Sequence, residues 1–260
     1  MLLAIASEAD PLGLFLVFFP CQRENMIKVA ILIDGGYFLK RLRTVRPDID
    51  VSDAGPVASA IDQLVRSHLR QLNETHHAPD MFQLLYRSFY YDAKPYTGRE
   101  HFPVSKTAKD YAKSEQALFR KNIFKKLHGR PNFAVRLGDV RRDKYSFWVL
   151  KPETQKCLLA GKRKANSLTD EDFVPALRQK GVDMRIGLDI ASIALKRQAS
   201  TIVLVSGDAD FVPAAKLARR EGVQFILDPL WRKIDSELYE HIDLLRSGFS
   251  RPAKDVRSGA

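Results

Sequence analysis

Two cysteines, Cys21 and Cys157, and six histidines are all that the 260 residues offer toward a disulfide framework or a zinc site. No Cys-x-x-Cys pair occurs, so neither device organises the fold, and the chain suits a reducing compartment. The phosphate-cradling pattern Gly-x-x-x-x-Gly-Lys-Ser/Thr is absent, which removes the P-loop as a route to nucleotide chemistry. Long apolar runs are missing too. The stretch Leu12 to Phe19 falls short of the roughly 20 residues a bilayer-spanning helix needs. Glu8 and Asp10 precede it where a secretory leader would carry basic residues. Residues 1–25 therefore read as an extension outside the fold, which begins near Met26. No membrane partner and a cytoplasmic location are expected. Internal repeats and low-complexity tracts are absent.

Basic side chains outnumber acidic ones, 42 Lys and Arg against 31 Asp and Glu, for a formal net charge of +11. Such a field attracts polyanions, and nucleic acid is the commonest of them: RNA, with DNA as the other candidate. A soluble surface that is merely basic would account for the charge alone. Hydrophobic residues make up 45% of the chain, enough for the core of one large or two small domains. Self-association is left open.

Apolar runs and helical patterns alternate along the chain. Ile27 to Ile33 is short and β-branched, as a buried central strand would be, and it ends in Asp34-Gly35-Gly36. A helix from Tyr37 to Arg46 follows, basic through Lys40, Arg41, Arg43 and Arg46. Pro56 to Leu72 repeats apolar residues at the helical period. Phe82 to Tyr91 reads as the second strand; its Phe89, Tyr90 and Tyr91 suit a core better than a base-stacking platform. From Asp92 to Arg130 the chain is turn-rich and basic, with a helix over Ser114 to Leu127. That helix interleaves Lys121, Lys125 and Arg120 with Phe119 and Phe124, and either a nucleic-acid face or a solvated one would look like this. Phe133 to Leu137 is the third strand, paired as a hairpin with Tyr145 to Leu150 across Gly138 to Asp143. Residues 151–178 read as a loop and a short helix. Ile202 to Val205 and Val223 to Leu227 are further strands, separated by a helix from Phe211 to Glu221 that stops at Gly222. A final amphipathic helix is expected over Lys233 to Arg246, and a loose tail from Arg251. This alternation predicts an α/β fold on a parallel sheet.

Carboxylates recur at the strand-to-helix junctions. Asp34 closes the first strand, Asp208 and Asp210 follow Ile202 to Val205, and Asp183 opens a helix. Asp189 lies six residues on, about 600° around a helix, so it does not share a face with Asp183. Each aspartate alone is explained as a helix cap. Gathered together, they repel unless a cation stands among them, and oxygen-only donors favour Mg²⁺ or Mn²⁺ over zinc. Such ions lower the pKa of a bound water and stabilise the charge that builds up as a phosphodiester is attacked in line.

The motifs Ile33-Asp-Gly-Gly-Tyr37, Lys180-Gly-Val-Asp183 and Ser206-Gly-Asp-Ala-Asp-Phe211, in that order, resemble the NYN domain, a branch of the PIN-like ribonuclease superfamily, in its bacterial LabA-like form. The resemblance spans residues 26–250 and implies a three-layer α/β/α sandwich around a parallel sheet, with a basic insertion at about 92–178. It implies a metal-dependent endoribonuclease whose Mg²⁺ or Mn²⁺ is held by Asp34, Asp183, Asp208 and Asp210, with Asp189 a further ligand candidate. Lys40, Arg41, Lys113, Arg120, Lys121 and Lys125 would grip the phosphate backbone. Many relatives carry asparagine close after the first Asp-Gly, where this chain has Tyr37. A non-catalytic RNA-binding protein on the same fold is the alternative. A receiver-like Mg²⁺-binding domain is a third reading, one that leaves the basic surface unexplained.

Overall fold

A computed structural model describes residues 27–252. The strands are β1 (Val29–Asp34), β2 (Leu85–Ala93), β3 (Arg99–His101), β4 (Ala108–Asp110), β5 (Phe133–Arg142), β6 (Trp148–Leu150), β7 (Phe173–Pro175), β8 (Leu177–Lys180), β9 (Thr201–Val205), β10 (Gln224–Asp228) and β11 (Leu244–Leu245). The helices are α1 (Gly35–Val45), α2 (Ala54–His76), α3 (Glu115–His128), α4 (Pro152–Leu159), α5 (Val182–Leu195), α6 (Val212–Arg220) and α7 (Ser236–Glu240). Seven strands form the main sheet in the order β11-β10-β9-β1-β2-β5-β8. All its pairings are parallel except β5 with β8.

β1 lies at the centre because its side chains are apolar toward both faces. Val29, Ile31 and Ile33 meet Phe38, Leu42, Ile61, Leu64 and Ile123 from α1, α2 and α3. Ala30 and Leu32 point the other way, with Ile186 and Ile190 of α5 and Ala215 and Ala218 of α6. Period-two alternation thus divides one strand between two cores, giving the α/β/α layering of a PIN-like fold. Among the described residues no helix is long and apolar enough to cross a membrane.

Three expected elements take another form. β5 runs through Gly138 instead of turning there, and its antiparallel partner is β8, not Tyr145 to Leu150. A Cβ at Gly138 would stand 2.6 Å from the Lys180 carbonyl oxygen, so the glycine serves a close strand crossing. β6 pairs instead with β7, and the Trp148 indole donates to the His101 carbonyl. The final helix is confined to Ser236–Glu240. Asp243 ends it by binding the sheet edge: its carboxylate accepts from the Phe225 amide at 2.7 Å and its own amide donates to the Phe225 carbonyl, which starts β11. Residues 92–178 are not one insertion, since β5 is a sheet strand and Ile123, Phe124 and Leu127 of α3 belong to the core. The proposed extension over residues 1–25, and the tail beyond residue 252, lie outside the described residues.

Candidate active site

Asp34 ends the central strand and caps the helix that follows, its Oδ1 accepting from the Tyr37 amide at 3.0 Å. Two glycines then let the chain turn against the sheet. A Cβ at Gly35 would meet the Tyr90 ring at 2.5 Å. One at Gly36 would stand 3.5 Å from Asp34 Oδ1 and 3.9 Å from Gln179 Oε1, so the missing side chain keeps the carboxylate's approach open. Burial pushes the Asp34 pKa up to about 6; the Tyr37 amide opposes that, and the charges of Asp183 and Asp92 add to it.

Asp183 lies in the first turn of α5, where the helix N-terminus favours negative charge, behind Gly181 at φ 78°. It is exposed, yet its pKa is raised, first by partial desolvation and then by Asp208 and Asp210. Those two stand on the turn after β9. Asp208 caps the short 3₁₀ turn Ala209–Phe211 by accepting from the Asp210 amide at 3.1 Å, and both remain exposed. Capping therefore occurs at Asp34 and Asp208, but it occupies only Oδ1 of each.

The field couplings link Asp34 to Asp183, and Asp183 to Asp208 and Asp210. None of the four forms an ion pair among the described residues. Their donors are hard oxygens with uncompensated charge, which suits Mg²⁺ or Mn²⁺ chemically. They do not make a finished coordination shell: among the described residues no three His, Cys, Asp or Glu side chains are gathered closely enough to hold a metal ion.

Asp189 does not join this set. It accepts from the Tyr91 hydroxyl at 2.8 Å and pairs with Arg136 at 3.3 Å on another side of α5. That correction follows from the helical angle between it and Asp183. Asp92, which sequence reasoning passed over, lies where β2 runs on past Tyr91, the residue that pairs with Asp34. It is 1% exposed, paired with Arg120 at 3.2 Å and approached by the Gln179 amide at 3.5 Å. Its pKa is raised because burial outweighs the pull of Arg120. The strand-end signal that singled out Asp34 would have found it, had the second strand not been ended at Tyr91.

Arg120 is 14% exposed and pairs with Asp92 through Nε, so it differs from the exposed lysines, while its terminal nitrogens have no hydrogen-bond partner among the described residues. Arg41 is held by the Leu230 carbonyl, at 2.8 Å from Nη2. Lys40, Lys113, Lys121 and Lys125 are exposed. Lys40 borders a cavity of about 490 Å³ shared with Gly36, Arg43, Phe119 and Arg120. Phe89, Tyr90 and Tyr91 are all buried and serve as core. The Tyr37 hydroxyl donates to the Pro229 carbonyl at 2.6 Å, and burial raises its pKa to about 12. A roomier cavity of about 770 Å³, lined by Lys216, Arg219, Arg220 and His241, shares no residue with the aspartate set.

The NYN domain model matches residues 148–238, a stretch that runs from β6 into α7 and carries Asp183, Asp208 and Asp210 but not Asp34. NYN domains are PIN-like and belong to a nuclease superfamily. The crystal structure of a protein of unknown function from Vibrio parahaemolyticus is similar to this chain with a TM-score of 0.42 and 16% identity, over 88% of this chain and 98% of that one. Among curated proteins, none matches.

Proposed function

We propose that the chain is a metal-dependent endoribonuclease of the LabA-like NYN type, acting on RNA in the cytoplasm, with Asp34, Asp183, Asp208 and Asp210 as its working carboxylates. One observation carries the reading. Asp34, half-buried at the end of the central strand, has its pKa raised by burial and by the charge of Asp183, and it has no cationic partner among the described residues. Uncompensated charge of that kind is costly to maintain and is characteristic of a site that meets a cation in use.

Mg²⁺ or Mn²⁺ held by these carboxylates would supply Lewis-acid stabilisation of the charge that grows on the phosphate. The chain's own residues do the rest. The Tyr37 amide fixes the orientation of Asp34, and Gly36 leaves room for a phosphate to approach it. The Arg120 pair keeps Asp92 from adding a further uncompensated charge beside Asp34. Lys40, Lys113, Lys121 and Lys125 hold the backbone without reading sequence.

The spacing of the carboxylates gives the rival reading, an RNA-binding protein without turnover, its one support. Incubating purified protein with labelled RNA and DNA, with Mn²⁺ or with EDTA, separates the two. The ribonuclease reading expects Mn²⁺-dependent cleavage of RNA that Asp208→Asn abolishes with the fold intact. Unchanged cleavage by that variant would reject the assignment, and RNA retention without cleavage under any divalent ion would favour the rival.

A further inference from the structure

We propose that the cavity between α3, β5 and β8 is a nucleobase subsite that takes the base beside the scissile phosphate, with guanine the favoured occupant. This rests on the ribonuclease reading above and adds to it the part of the substrate that is read. The cavity measures about 300 Å³, at the lower end of small-ligand pockets. Pro95, Tyr96, Tyr111 and Pro175 give it flat apolar walls, and Arg120 and Gln179 give it polar groups.

Both polar residues also touch the buried Asp92, Arg120 through Nε at 3.2 Å and Gln179 through Nε2 at 3.5 Å. The Gly36 position lies 3.9 Å from Gln179 Oε1 and 3.5 Å from Asp34 Oδ1, measured from where its Cβ would be. An occupant of the cavity is thus a close neighbour of Asp34. The Tyr111 ring is set in advance, 8% exposed and edge-on to Tyr96 and Phe147 at 5.5 Å each.

The choice of base follows from Arg120. Its Nε is engaged by Asp92, while its two terminal nitrogens make no hydrogen bond among the described residues. The side chain is 14% exposed and lines the cavity, so these donors are free to meet an occupant there. The O6 and N7 edge of guanine is the commonest bidentate match for an arginine fork, whereas adenine presents an amino donor at the position of O6. Splayed bases of single-stranded RNA are bound in this manner, against aromatic side chains and read along their edges.

Two variants test it. Arg120→Lys keeps the charge facing Asp92 but loses the fork, and Leu177→Trp fills the cavity from its wall; thermal unfolding checks that each is folded. Calorimetric titration with the 5′-monophosphates of guanosine, adenosine, uridine and cytidine should show GMP bound about tenfold tighter than the others, the worth of one added hydrogen bond. That margin should vanish in Arg120→Lys, and binding should be lost in Leu177→Trp. Equal affinity for the four nucleotides, or GMP binding unchanged in both variants, overturns the proposal. Mapping of cuts on single-stranded RNA with Mn²⁺ separates the two readings. Selective GMP binding without any cleavage sustains the subsite and defeats the nuclease, whereas cleavage with neither guanine preference nor selective GMP binding defeats the subsite alone.

Discussion

Asp34 and Asp92 stand at the ends of neighbouring parallel strands, yet only Asp92 has a counter-ion: Arg120 meets it at 3.2 Å, while Asp34 has the Tyr37 amide and the Gly36 opening. A half-buried and a fully buried carboxylate are thereby given different tasks. One is neutralised as part of the framework, and the other keeps a charge that an incoming cation can use.

Replacing Asp34 by Asn should stabilise the metal-free protein and abolish cleavage. Asn retains the helix cap, so the substitution isolates the charge. The carboxyl pKa rises from 3.8 to about 6 on folding, so the folded state binds more protons than the unfolded one between those values. Stability contributed by the protonated carboxyl is complete below about pH 4 and is lost as pH rises through about 6, by at most about 3 kcal/mol. Thermal melts in EDTA from pH 4 to 8 should show that decline in the wild type and a flatter profile in Asp34→Asn. Equal slopes would sink the account.

Cation affinity should follow the same group in the opposite sense. A proton on Asp34 competes with the ion, so Mn²⁺ binding should tighten as pH passes about 6 and level off above it. Titration of Mn²⁺ by calorimetry at pH 5, 6 and 7.5 reads this directly, and a pH-independent affinity would exclude Asp34 from the ligands.

Arg120→Met should cost about 3–5 kcal/mol, since it leaves the buried Asp92 carboxylate unpaired. Adding Asp92→Asn should recover much of that loss. A denaturant double-mutant cycle measures the coupling, and additive effects would mean that the pair contributes nothing.

Gly207→Ala should destabilise by about 1–3 kcal/mol through overpacking. Its Cβ would lie 2.7 Å from the Tyr37 hydroxyl, which is tied to the Pro229 carbonyl and has little freedom to withdraw. Combining it with Tyr37→Asn should relieve the clash. Urea midpoints of the single and double variants decide this; equal midpoints for Gly207→Ala and wild type would show that the ring yields.

Neutralising Lys121 and Lys125 together should lower the salt dependence of RNA binding without changing which sequence is bound. If each meets a phosphate, the slope of log affinity against log salt falls by about 0.7 per contact on a single strand. Filter binding between 50 and 300 mM salt measures it, and an unchanged slope would place the strand elsewhere.

Strands buried on both faces are legible in the sequence. Ile202 to Val205 and Val223 to Leu227 fall within a residue or so of β9 and β10, because apolar runs bounded by small residues have few other places to go. The hairpin assigned to Gly138 failed because a glycine required for close strand crossing looks the same in sequence as one required for a turn. The long terminal helix failed because the Asp243 carboxylate finds the edge of β10, a partner 18 residues away that periodicity does not reveal.

The sequence by itself determined the alternation that makes a parallel sheet, and it set Asp34, Asp183, Asp208 and Asp210 at junctions, because strand length and helix starts are written in local patterns of apolar and small residues. Only the tertiary structure decided which charges are balanced. Asp189 meets Arg136 and Tyr91, Asp92 meets Arg120, and Asp34 meets no cation among the described residues. Counter-ion pairing depends on distances between distant segments, and no local pattern in a chain encodes them.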